Sequence, residues 1–236
     1  MSIQASEYYN IFSTAGTIPQ VEYALKRIQK HRPIVCLSTN DLIVVAAKKT
    51  QTEKLEIRTE KLFYEVQKNV YCSLTGIPAD IQYMISRIVS IASSLKSELG
   101  YTPPADVICK SVAEKLQLLI QSTGERVCSF SAIIFGFDKN ESLVFQTDCS
   151  AVCLPFYALG VGKNSSKSNK FLEKNYKDNL SNKEAVEVAI EALVKPLDND
   201  FFPSDLEVSV FKRDGSIIEL SENEINDVIS VISERD

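Results

Sequence analysis

One histidine and six cysteines hold most of the side-chain chemistry this 236-residue sequence offers. Nucleophile and base schemes usually take their proton acceptor from a histidine. His31 falls between an amphipathic segment and the first apolar run, at a helix C-terminus that favours a cationic or donor side chain, so it reads as a capping residue. Most of the cysteines (Cys36, Cys72, Cys109, Cys128, Cys149, Cys153) lie inside apolar segments, where a thiol packs as a small hydrophobe. They are expected to be reduced and structural. Cys149 and Cys153 form a lone C-x3-C with no histidine nearby, which is weak for zinc. There is no G-x-S-x-G, P-loop or H-E-x-x-H, and the bare Gly160-Val161-Gly162 reads as a turn. No catalytic residue, metal or cofactor is expected.

The elements that would position any site follow from periodicity. Thr17-Ile18-Pro19-Gln20 has capping-box spacing and predicts a helix with Val21, Ala24, Leu25 and Ile28 on one face and a Glu22–Lys26 pair on the other. Ile34 to Ser38 and Leu42 to Ala47 form a hairpin apolar on both faces, and a second runs from Leu62 to Val66 and from Val70 to Thr75. Ile81, Met84, Ile85, Ile88, Ile91, Ala92 and Leu95 keep a helical period that stops at Gly100. A second helix follows Pro103-Pro104 and runs to Gly124. Strands are predicted at Phe130 to Phe137, Leu143 to Thr147 and Val152 to Leu159. A lysine-rich stretch from Gly162 to Lys183 reads as a solvated helix and loop. A helix from Ala185 to Val194, a hairpin about Asp214-Gly215 and a last helix capped by Ser221 and Glu224 complete the chain.

Consecutive hairpins argue for antiparallel sheets, and paired helices argue for helical layers over their outer faces. The predicted class is α+β, a four-layer α/β/β/α sandwich in one domain over 1–236. With 44% apolar and 24% charged residues, the chain can bury a large core unaided. A net charge of -5 argues against nucleic acid. No apolar run approaches the roughly 20 residues of a membrane span, and Met1-Ser2-Ile3-Gln4 lacks signal-peptide character, so the cytoplasm and nucleus are the expected location. A sandwich of this kind can host an N-terminal threonine that uses its own amine as base. Here the first strand begins at His31-Arg32-Pro33, behind a helix that belongs to the fold. The readings left open are a structural subunit, an active threonine peptidase and a freestanding oligomeric scaffold.

Phe12-Ser13-x-x-Gly16 followed by Gln20-Val21-Glu22-Tyr23-Ala24 resembles the F-S-P-x-G-R-L-x-Q-V-E-Y-A signature of 20S proteasome alpha subunits. Val44 to Lys49, Thr75 to Asp80, Gly100-Tyr101 and Asp205 to Val208 extend the resemblance over nearly the whole chain. Gly100 to Val107, Leu220 to Ile225 and the ending Ser233 to Asp236 are most similar to the alpha-1 type, type six in vertebrate naming. The resemblance implies an Ntn-hydrolase-like fold with a gate tail at 1–16, an alpha-type helix at 17–31 and the sandwich at 32–236. It implies a non-catalytic subunit of a threonine-protease complex, placed in a heptameric alpha ring on a beta ring, which controls substrate entry in ubiquitin-dependent degradation. Its implied partners are neighbouring alpha subunits, beta-ring subunits and activators or the regulatory particle.

Catalytic beta-type siblings carry an acid where this chain has Lys48. Activator tails dock beside a lysine in an I-E-K-I-like segment, which Thr59-Glu60-Lys61-Leu62 resembles; this makes Lys61 the docking candidate, with an ordinary surface lysine as the other reading. The family's gate carries Tyr-Asp-Arg where this chain has Ala5-Ser6-Glu7, with Tyr8 and Tyr9 as substitutes after a local shift. Thr14 and Thr17 replace the signature proline and arginine, and Asp148-Cys149-Ser150-Ala151 replaces D-P-x-G. The departures leave open whether this subunit closes a gate.

Overall fold

A computed structural model describes residues 11–50, 55, 60–122, 125–139, 141–197 and 201–234. The gate-tail residues Ala5, Ser6, Glu7, Tyr8 and Tyr9 lie outside the described residues, as does Gly124. The element order is α1 (Pro19–Ile28), β1 (Ile34–Ser38), β2 (Leu42–Lys48), β3 (Tyr64–Gln67), β4 (Val70–Gly76), α2 (Pro78–Leu99), α3 (Ala105–Ile120), β5 (Phe130–Asp138), β6 (Glu141–Asp148), β7 (Cys153–Pro155), β8 (Ala158–Val161), α4 (Ser165–Asn175), α5 (Asn182–Val194), β9 (Leu206–Lys212), β10 (Ile217–Glu219) and α6 (Glu222–Ser233).

The strands form two antiparallel five-stranded sheets, ordered β10-β9-β2-β1-β8 and β3-β4-β5-β6-β7. The inner faces meet in a core that includes Ile43, Val45, Ile133, Phe135 and Phe211. Phe63, Tyr71, Phe135 and Phe211 stack there at centroid distances of 4.8 to 5.9 Å, within the range of favourable edge and tilted ring pairs. Alternate residues of the first sheet (Val35, Leu37, Val44, Val208) face α5 and α6, and those of the second (Cys72, Leu74, Ala132, Ile134) face α2 and α3. Burial on both faces makes β1, β2 and β4 continuous apolar runs. The four-layer sandwich is therefore present.

Several local expectations change. The run Val152 to Leu159 is two strands: β7 borders the second sheet, and β8 borders the first. Between them Phe156 turns into the inter-sheet core. Residue Ile18, not Thr17, caps α1, because Pro19 opens the helix as its first residue and no side chain supplies the cap. The Thr17 hydroxyl bonds Ser13 Oγ at 2.9 Å instead. Helix α1 ends at Ile28, short of residue 31. Glu22 and Lys26 are exposed and form no ion pair with each other. The hairpin before β10 is not a turn with two positive-φ residues: Gly215 alone has φ 86, and Gly215 N donates to the Lys212 carbonyl at 3.0 Å. That is a type I turn closed by a glycine bulge.

The capping box of Ser221 and Glu224 forms as expected, and Ser181 with Glu184 forms a second one that starts α5. Gly100 ends α2 in the left-handed region at φ 76.

Candidate functional site

The signature segment divides into residues that build the chain and residues that face outward. Ser13 Oγ accepts from the N–H groups of Ala15 and Thr17, each at 3.2 Å, and Gly16 supplies φ 78 for the turn. Val21 and Ala24 are buried under α1. The Ala24 carbonyl accepts from Ser129 Oγ at 2.9 Å, and Gln20 Oε1 accepts from Val127 N at 3.4 Å. These bonds clamp α1 to the segment entering β5. Phe12, Glu22 and Tyr23 point to solvent.

That entry segment has a second clamp, for which nothing in the local sequence is a signal. Asp80, in the first turn of α2, accepts a paired contact from both terminal nitrogens of Arg126, Nη1 at 2.8 Å from Oδ2, and a bond from Ser129 N at 2.7 Å. The arginine holds the Asp80 carboxyl below its ordinary range, aided by the Ser129 amide and opposed by burial. Its two partners stand 46 and 49 residues away.

At the head of β1, where a threonine peptidase needs a free amine, Pro33 carries an amide nitrogen without basic character. Arg32 and Pro33 are buried. The Arg32 carbonyl accepts from Thr75 Oγ1 at 2.7 Å, and the Pro33 carbonyl accepts from Lys48 N at 3.3 Å. The Arg32 side chain, 4% exposed, donates from Nη2 to the Lys61 carbonyl at 2.7 Å. Its Nε stands 3.6 Å from Glu60 and its Nη1 3.9 Å from Glu207. Burial raises the Glu207 carboxyl above its usual range even with Arg32 beside it.

Two cavities flank this cluster. One of about 390 Å³ is lined by Lys30, His31, Arg32, Lys48, Lys49 and Lys163 with Glu60, and is strongly cationic. The other, of about 800 Å³, has Lys49 and Lys61 on its rim among five glutamates. Lys61 thus has its backbone fixed by a buried guanidinium and its side chain exposed on the rim of the larger cavity.

His31 does not cap α1; Gln29 does. The ring lines the smaller cavity, its Nε2 buried without a hydrogen-bond partner among the described residues. Burial, then the Arg27 charge, lowers its pKa, and the Glu60 charge opposes them. Among the described residues no nucleophile is paired with it.

The six cysteines are free thiols. Burial pushes Cys72 and Cys149 up to about 12 and raises Cys36 and Cys109 further, which suppresses the reactive thiolate. Cys149 packs under α1 while Cys153 lies against α2 and α3, so the C-x3-C pair is not brought together. Among the described residues no group of histidine, cysteine, aspartate or glutamate has the arrangement of a metal site. No helix among them is long and apolar enough to cross a membrane.

The model of the family described as "Proteasome subunit" matches residues 29–211. The chain belongs to the proteasome subunit family. It is 30% identical over 226 residues to proteasome subunit alpha type-7-A of Arabidopsis thaliana, covering 94% of this chain and 89% of the relative. Proteasome subunit alpha type-7 of Dictyostelium discoideum is 29% identical over 224 residues, 94% of this chain and 88% of that one. Proteasome subunit alpha of Saccharolobus solfataricus is 30% identical over 186 residues, 78% and 76%. These relatives place it in the alpha-type branch of the proteasome family, whose members are the non-catalytic ring subunits. The head of β1, a buried proline behind α1, agrees with that assignment.

Proposed function

We propose that this proteasome alpha subunit works as a gate and docking component of the outer ring of the 20S core particle, in the cytoplasm and nucleus, within ubiquitin-dependent degradation. The observation that carries the docking half is Lys61: its backbone is pinned by buried Arg32, and its exposed side chain stands with Lys49 on the rim of the larger cavity. The Lys61 ammonium offers a partner's terminal carboxylate a charge-assisted contact. Lys61→Ala is expected to weaken binding of an activator tail peptide about tenfold, the loss of one charge-assisted contact of about 1.4 kcal/mol. Equal affinity in a titration of the assembled particle would remove Lys61 from the site.

The gating half rests on residues 1–11, which precede the signature turn. Deleting them is expected to raise basal hydrolysis of a fluorogenic peptide by the assembled particle several-fold. Unchanged basal hydrolysis would assign the gate to other subunits. The alpha-1 position in the ring is part of the same proposal, supported by the segments Gly100 to Val107 and Leu220 to Ile225. The relatives named above are type-7 and undivided alpha subunits, so position is best read from cross-links between neighbours.

A further inference from the structure

The two lateral edges of the sandwich differ in closure and in charge. On one edge the chain passes directly from β7 to β8, and Phe156 fills the space between the sheets. On the other edge β10 has three residues and β3 has four, with its register broken between Glu65 and Gln67. Among the described residues, these short strands leave the inter-sheet space open as the cleft of about 800 Å³. Its walls include Leu62, Phe63 and Leu220, and its rim carries Glu60, Glu65, Glu207, Glu219 and Glu222 against Lys49 and Lys61. The neighbouring carboxylates Glu219 and Glu60 add to the burial that raises Glu207.

The closed edge is the chemical opposite. Leu154 is 48% exposed and Tyr157 72%. Beside them α4 packs on β8 and, with the chain around it, exposes Lys163, Lys167, Lys170, Lys174, Lys177 and Lys183 against Glu173 and Asp178. A ring of subunits with one fold joins by heterologous contacts, in which one edge meets the opposite edge of the next copy. One edge here is open, apolar and acidic; the other is closed, apolar and basic.

We infer that the β3–β10 cleft is the seat of a neighbouring alpha-type subunit's β7–β8 crossover edge, which inserts a large apolar side chain flanked by lysine or arginine between the two sheets. This inference rests on the ring reading proposed above. Charge complementarity of this kind sets partner choice and register, and an unfilled inter-sheet cleft is the feature that an inserted side chain would satisfy.

The test places a photo-reactive benzoylphenylalanine at Glu219 of the full chain, isolates the assembled particle and maps the adduct by mass spectrometry. The expected adduct is to another alpha-type subunit, within the segment that follows its sixth strand and within a few residues of a lysine or arginine. An adduct to a beta-type subunit, to an activator or only within the same chain would overturn the inference. In parallel, Glu65→Lys/Glu219→Lys is expected to lower the chain's share in assembled particles at least tenfold relative to Glu65→Gln/Glu219→Gln, with an unchanged melting temperature. Equal incorporation of the two pairs would also overturn it. Recovery of the wild-type chain outside any particle with alpha-type subunits would overturn the functional reading as well, which distinguishes the two failures.

Discussion

Replacing Gly162 by alanine is expected to remove about 3 to 5 kcal/mol of stability, the sum of a left-handed backbone forced on an L side chain and an overlap that no rotamer relieves. Gly162 has φ +85, and a Cβ there would run into the Arg32 carbonyl oxygen and come within 3.2 Å of the His31 carbonyl. Both obstacles are backbone, held in place because His31 O accepts from Lys163 N at 2.9 Å and Arg32 O from Thr75 Oγ1. Relief would require parting β8 from the head of β1, the segment on which the Arg32 cluster and the smaller cavity are built. A loss of this size takes a large share of the roughly 5 to 15 kcal/mol that holds a typical domain folded, and lowers Tm by on the order of 10 °C. Gly215→Ala is the control. Its φ is +86, but the nearest atom to a new Cβ is the flexible end of Asn69 at 3.4 Å, so only the backbone strain of about 1 to 2 kcal/mol applies. Thermal or urea unfolding of the two variants should separate them clearly; equal losses would show that the close approach at Gly162 is not what matters.

Asp80→Ala is the second large effect, about 2 to 4 kcal/mol at neutral pH, since it strands a buried amide and unpairs an arginine. The Asp80 side chain is 3% exposed and Arg126 65%. The greater part of the loss therefore comes from Ser129 N, which is left facing an apolar methyl, and the smaller part from a guanidinium that water can reach. The pH dependence follows from the lowered carboxyl pKa. A carboxylate more acidic in the folded state than in the unfolded one stabilises fully above the unfolded value of about 3.9 and loses that contribution as pH falls through the lower folded value. The gap between wild type and Asp80→Ala is therefore expected to stay level from pH 7 to about 5 and to narrow below about 4. A gap that persists undiminished to pH 3 would show that the carboxylate charge contributes nothing.

Helices and their ends were the most legible part of the fold, for local reasons. The stripe of Ile81, Met84, Ile88 and Ala92 with Gly100 behind it specifies α2, and Ser221 with Glu224 specifies the start of α6. The same local logic misplaced the start of α1: Thr17 and Gln20 have the right spacing, but Pro19 begins the helix one residue later and Gln20 is drawn away to Val127. The crossover at Phe156 was illegible because the apolar run from Val152 to Leu159 has no local mark of where it leaves one sheet for the other. Tertiary pairing alone decides that.

The same holds for the site. Lys61, Lys48 and the signature residues stood out in the sequence. The groups that hold them did not: Arg32 meets Lys61 across 29 residues and Asp80 meets Arg126 across 46. A buried arginine looks, in sequence, like any surface arginine before a proline. The opposed charge of the two cavities was invisible for the same reason, since Lys30, Lys48 and Lys163 converge only after β8 returns beside β1.

The most direct test of a non-catalytic alpha subunit is native mass spectrometry of the particle isolated through this chain, followed by the intact mass of the chain itself. The proposed role predicts a complex that contains other alpha-type and beta-type proteasome subunits, with this chain retaining α1 ahead of Pro33. Recovery without those subunits, or of a chain processed to a new amino terminus at the head of β1, would contradict it.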